Sequence, residues 1–125
     1  MSSTKPPLVA TIVFNSLTHA TLTGFRGAAE SQQIILQAED LNIHLRISKG
    51  QTERTILGQV LQCSAGGLIA NTRVSLFSGL EKIRTTVTNS LGEFRFGNVP
   101  VGAVKLEAEI PSRPLLTANF KIIGE

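Results

Sequence analysis

The chain has 125 residues, of which 42% are apolar and 17% charged, with 12 basic and 9 acidic side chains and a net charge of +3. That length suits one domain with a sizeable core. With no Tyr, no Trp, one Asp, one Cys and two His, the stock excludes most active sites and metal sites. The charges fall evenly along the chain and no run of four Lys or Arg exists, so neither a counterion-displacing surface nor an aromatic stacking platform for nucleic acid is expected.

In chain order, residues 1–7 read as a flexible polar leader and residues 8–125 as a single β domain. Leu8 to Phe14 is an apolar run that predicts one strand. It is marginal as a signal-peptide core, and no segment approaches the roughly 20 apolar residues of a membrane span, so a cytoplasmic location is expected. Residues 15–32 are long for a loop and hold a short candidate strand at 20–25. Gln33 to Ala38 predicts a strand. Asn42 to Ser48 alternates, with Ile43, Leu45 and Ile47 on one face and His44 and Arg46 on the other.

After a turn at Lys49-Gly50-Gln51 the pattern continues from Thr55 to Gln62 and breaks at Ser64-Ala65-Gly66-Gly67. Thr72 to Phe77 places Val74 and Leu76 inward and Arg73 and Ser75 outward. Lys82 to Asn89 is the next strand, closed by a turn at Asn89 to Gly92. Phe94 and Phe96 then point inward. A turn over Gly97 to Gly102 leads to the alternation of Val104, Leu106, Ala108 and Ile110, and Leu115 to Ile123 is the last strand. Turn signals every eight to twelve residues, with no helical apolar period, predict an all-β antiparallel sandwich.

From Thr55 the spacing resembles a known family. Gly58-Gln59-Val60, then Asn71 to Val74, then Thr88-Asn89-Ser90-Leu91-Gly92-Glu93-Phe94, then Val99-Pro100-Val101-Gly102, is similar to the carboxypeptidase regulatory-like domain, a transthyretin-like or prealbumin-like β-sandwich. The likeness covers residues 55–123, with residues 8–54 as additional N-terminal strands and a long loop. It implies that Thr88, Gly92, Phe94, Pro100 and Gly102 are structural corner and turn residues. The upstream run from Phe25 to Ile47 is similar to a segment preceding this sandwich in bacterial regulatory proteins near sigma factors and caspase-like peptidases.

Enzymes of related sandwiches do not carry over. Hydroxyisourate hydrolases end in a Tyr-Arg-Gly-Ser signature, whereas this chain ends Lys121-Ile122-Ile123-Gly124-Glu125. Intradiol dioxygenases hold iron through two Tyr and two His, and this chain has no Tyr. Cys63 with His44 or His19 is the one conceivable nucleophile–base pair, but Cys63 has no helix N-terminus in prospect. Zinc, calcium and phosphate sites lack their ligand patterns, so no catalytic residue, cofactor or metal is expected.

What remains is surface. Leu57 and Leu61 oppose the inward residues of their strand, and Phe77 opposes Val74 and Leu76. Either these pack under strands 8–14 and 34–48, or they form a partner or self-association surface together with Phe25 and Arg26 in the irregular stretch. The expected function is a non-enzymatic protein-interaction module, regulatory or adaptor in kind, acting near a sigma factor or caspase-like peptidase. Homo-oligomers are allowed, and nucleic acid and membrane are not expected as partners. A small-molecule carrier sandwich and an exported adhesion or polysaccharide-associated module are the alternatives.

Overall fold

The computed structural model describes residues 7–15, 31–49, 54–63 and 67–122. Their strands are β1 (Leu8–Val9), β2 (Thr11–Asn15), β3 (Ser31–Ala38), β4 (Leu41–Lys49), β5 (Arg54–Gln62), β6 (Gly67–Leu68), β7 (Arg73–Ser78), β8 (Glu81–Val87), β9 (Glu93–Val99), β10 (Gly102–Glu109) and β11 (Leu116–Ile122). They form two sheets, one ordered β1-β11-β10-β7-β8. The other is ordered β2-β3-β4-β5-β6, with β9 also paired to β5. The chain is thus an all-β two-sheet sandwich, as the alternation predicts. The expected short strand at 20–25 lies outside the described residues.

One buried cluster spans both sheets, from Ala10 to Ile122. Alternate residues of β4, β7, β10 and β11 enter it, whereas β8 contributes no buried residue and only packs Ile83 against it. Ile43, Leu45 and Ile47 come from β4, Val74 and Leu76 from β7, Val104, Leu106 and Ala108 from β10, and Leu116, Ala118, Phe120 and Ile122 from β11. This period-two burial is what the pleat requires. Ser75, expected outward, is only 2% exposed. It faces out, but its small side chain is overshadowed by neighbours, and its hydroxyl lies 3.1 Å from that of Thr85.

Three sequence expectations are corrected. Residues 8–14 do not form one strand. β1 runs parallel to β11, the exception to an otherwise antiparallel pattern, whereas β2 runs antiparallel to β3 in the opposite sheet. The chain crosses between sheets at Ala10, a small buried residue whose N–H donates to Thr117 O at 2.8 Å. Secondly, the turn expected over Gly97 to Gly102 shortens to Pro100 and Val101, because β9 continues to Val99. Arg54 faces Val99 and Ile56 faces Phe96, so β9 carries one extra residue, a bulge made where Asn98 takes φ 56°. The bulge lets Val99 reach the core, where it is buried. Thirdly, the strand expected over 82–89 ends at Val87, leaving Thr88 and Asn89 to build the corner.

Side chains lock the two sheets at opposite ends. Asp40, in the two-residue β3–β4 turn, accepts two hydrogen bonds from Arg113, Nη1 to Oδ1 at 2.8 Å and Nη2 to Oδ2 at 3.1 Å. The paired geometry fits a guanidinium to a carboxylate. Gln62 Nε2 donates to the same carboxylate at 3.1 Å. The hydrogen bond to Asp40 is the largest cause of the raised proton affinity of Arg113. A raised folded-state value stabilises below the ordinary arginine range, so the guanidinium's contribution is present at neutral pH and is lost as the pH rises into strong alkali. At another seam, Arg84 of β8 donates to Gly97 O at 3.1 Å and to Asn98 O at 2.9 Å on β9.

Candidate functional site

The corner after β8 is where the family-like residues meet. Thr88 is buried, and its hydroxyl accepts from Thr72 N at 2.9 Å and donates to Ile69 O at 3.0 Å. Asn89 Oδ1 accepts from Leu91 N and from Glu93 N, each at 2.9 Å. Asparagine and aspartate favour such local turns because the short side chain mimics backbone. Gly92 takes φ +75°, and its carbonyl accepts from Val60 N at 2.8 Å. Phe94 faces Gly58 across β5–β9 and seats its ring where a Cβ on Gly58 would otherwise stand. Gly102 takes φ +115° with open space around it, and Pro100 is exposed beside it in the β9–β10 turn. Thr88, Gly92 and Phe94 thus lie together in the corner, and Pro100 and Gly102 lie in the following turn.

The partner-surface residues do not converge. Leu57 is 43% exposed on the outer face of the six-stranded sheet, and Leu61 is half-buried on the same face. β3 and β4 lie beside β5 as sheet neighbours, so they extend this face without covering it. Phe77 faces out from the other sheet, on the far side of the sandwich. It is half-buried, with Lys105 Nζ 5.0 Å and Lys82 Nζ 5.9 Å from its ring centroid. Two cations near its ring give it local partners. Phe25 and Arg26 lie outside the described residues.

Around Leu57 lies an open concavity of about 780 Å³ over this face. Its floor is two rows of outward side chains that cross the strands. One runs Gln33, Arg46, Leu57, Arg95 and the next Ile35, His44, Gln59, Glu93, in both cases through β3, β4, β5 and β9. Thr86, Val87 and Asn89 form one end of the lining. In the second row, Gln59 Nε2 donates to Leu91 O at 3.0 Å and Glu93 accepts from Asn89 Nδ2 at 3.3 Å, so both serve the corner. In the first row, Arg46 and Arg95 are exposed and, among the described residues, neither has an ion-pair partner. They stand two strand spacings apart, about 10 Å, with Leu57 between them.

The residues of this concavity were missed as a group. His44 and Arg46 read in sequence only as the outward face of their own strand. The signal that unites them is register: β9, distant in sequence, pairs with β5 and places Arg95 opposite Leu57.

The conceivable nucleophile pair is not assembled. Cys63 is exposed, its N–H donates to Asp40 O at 2.7 Å, and its Sγ accepts from Asn42 Nδ2 at 2.9 Å. His44 stands two residues beyond Asn42 on the same face, roughly 7 Å at strand rise, and among the described residues no hydrogen bond joins it to Cys63. His19 lies outside the described residues. Among the described residues no three His, Cys, Asp or Glu come together as a metal-binding group, and no helix is long and apolar enough to cross a membrane. Comparison with protein-family models, with curated proteins and with solved structures returns no match.

Proposed function

We propose that this protein is a non-enzymatic interaction module, a regulatory or adaptor protein of the carboxypeptidase regulatory-like kind, whose outer six-stranded face docks a partner protein. The observation that carries the reading is the concavity of about 780 Å³ built on a rigid sheet face, with Leu57 exposed at its floor. Sheet pairing fixes the backbone of these positions in advance, so side-chain ordering is the conformational cost left on this side of an interface. The shared corner of Thr88, Gly92 and Phe94 supports the family reading of residues 55–123. The irregular upstream likeness points to a regulatory partner, a sigma factor or caspase-like peptidase, in the cytoplasm.

Leu57→Asp tests the docking face. The substitution removes the central apolar contact and sets a carboxylate between Arg46 and Arg95, where it competes with the partner for both, and central apolar contacts dominate interface energies. In its native cell, the variant is expected to recover about tenfold less partner on co-purification, a loss of about 1.4 kcal/mol in binding. Leu80→Asp, at a turn position that is 99% exposed, is expected to leave recovery unchanged. Equal recovery with Leu57→Asp, at unchanged melting temperature, contradicts the reading.

A further inference from the structure

The charge pattern of the docking face narrows the chemistry of its occupant. We propose that the row Arg46–Leu57–Arg95 is read by a partner segment carrying one apolar side chain between two carboxylates. This rests on the docking reading above and adds the partner's chemical class to it.

Three observations converge. Leu57 is exposed at the centre of β5, between β4 and β9. Arg46 and Arg95 flank it in register, about 10 Å apart, and among the described residues no carboxylate pairs with either. By contrast, Arg113 is paired with Asp40, Arg84 is bound to backbone carbonyls, and Lys105 is paired with Glu107 at 3.3 Å. Arg73 and Lys121 are unpaired as well, but on the other sheet; in this row the unpaired cations, among the described residues, stand on either side of the exposed leucine. Guanidinium recognises carboxylate through paired, charge-assisted hydrogen bonds. The neighbouring carboxylate, Glu93, is engaged by Asn89 and lies in the adjacent row across from His44. The arrangement admits an acidic–apolar–acidic segment and disfavours a basic one, since like charges at close quarters suppress wrong partners.

The probe is a capped seven-residue peptide with leucine at its centre, glutamate two positions to either side and serine elsewhere. In extended form its three recognition side chains share one face. Titration into the isotope-labelled full chain is followed by amide chemical shifts. The expected result is shifts at residues 44–46, 57–59 and 93–95, with binding about tenfold weaker for the peptide with glutamine in place of glutamate. Arg46→Glu combined with Arg95→Glu is expected to lose the glutamate peptide and to bind the lysine counterpart instead. Both positions are exposed, so the variant's unperturbed spectrum away from this face reports that it is folded. Equal binding of the glutamine peptide at the same amides overturns the charge assignment while the docking face stands. Absence of shifts at this face, or no preference reversal in the double variant, also overturns it. Failure of the docking reading itself is registered separately by Leu57→Asp.

Discussion

Phe94→Ala is expected to lower folding stability by about 3–5 kcal/mol, the usual cost of deleting a buried phenylalanine. Phe94 is 5% exposed and meets Phe96 edge-on, with ring centroids 5.6 Å apart. Its distinctive contact is with Gly58. A Cβ built at Gly58 would lie 2.1, 2.5 and 2.7 Å from three ring carbons of Phe94. Gly58→Ala therefore forces the ring to move, and overpacking of this kind costs about 1–3 kcal/mol. The two losses are not independent, because the alanine methyl at 58 enters space that the ring vacates. The double variant is expected to be more stable than the sum of the singles implies, by at least about 1 kcal/mol. Urea unfolding followed by far-ultraviolet circular dichroism measures the cycle, since the chain has no Trp or Tyr to provide the usual fluorescence signal. Strict additivity would mean that the ring and the glycine are not a packing pair.

Gly92→Ala is expected to cost on the order of 3 kcal/mol, combining left-handed backbone strain with a steric clash. Gly92 sits at φ +75°, and a Cβ there would lie 2.6 Å from Val60 O and 3.2 Å from both Ile69 N and Ile69 O. All three atoms are backbone, so no flexible side chain can give way. The same carbonyl and amide tie the corner to the sheet, since Val60 N donates to Gly92 O and Ile69 N donates to Val60 O. A contrast is available at Gly102. There φ is +115° but nothing lies within 4 Å, so Gly102→Ala meets backbone strain alone. The expected order in denaturant midpoint is wild type, then Gly102→Ala, then Gly92→Ala. Equal losses at 92 and 102 would remove the close approach as the cause.

Strand order and exposure follow different rules, and this explains which features could be read beforehand. Alternation identifies the inward residues of β4, β7 and β10 because the pleat alone decides them. The corner at Thr88, Gly92 and Phe94 is legible for a similar reason: a hydroxyl, a glycine and a core aromatic at that spacing meet local needs. The crossing at Ala10 is not legible, since an unbroken apolar run carries no mark of a change of sheet. The bulge at Asn98 is hidden as well, because Gly97-Asn98 also reads as a turn.

The candidate surface depends on pairings between segments far apart in sequence. Leu57 is recognisable as a misplaced apolar residue from its own strand. Its relation to Arg46 and Arg95 emerges only when β4 and β9 flank β5. Phe77 shows the reverse. It looks equally misplaced, yet the strands beside it bring Lys82 and Lys105 over its ring, on the opposite side of the sandwich.

Site-specific photo-cross-linking tests the docking face most directly. A photoreactive phenylalanine analogue is placed at position 57, and separately at position 80, in the full chain expressed in its native cell. A discrete covalent adduct with a partner protein is expected from position 57 and not from position 80. Absence of an adduct at position 57, or the same adduct from position 80, would contradict docking on the outer face of the six-stranded sheet.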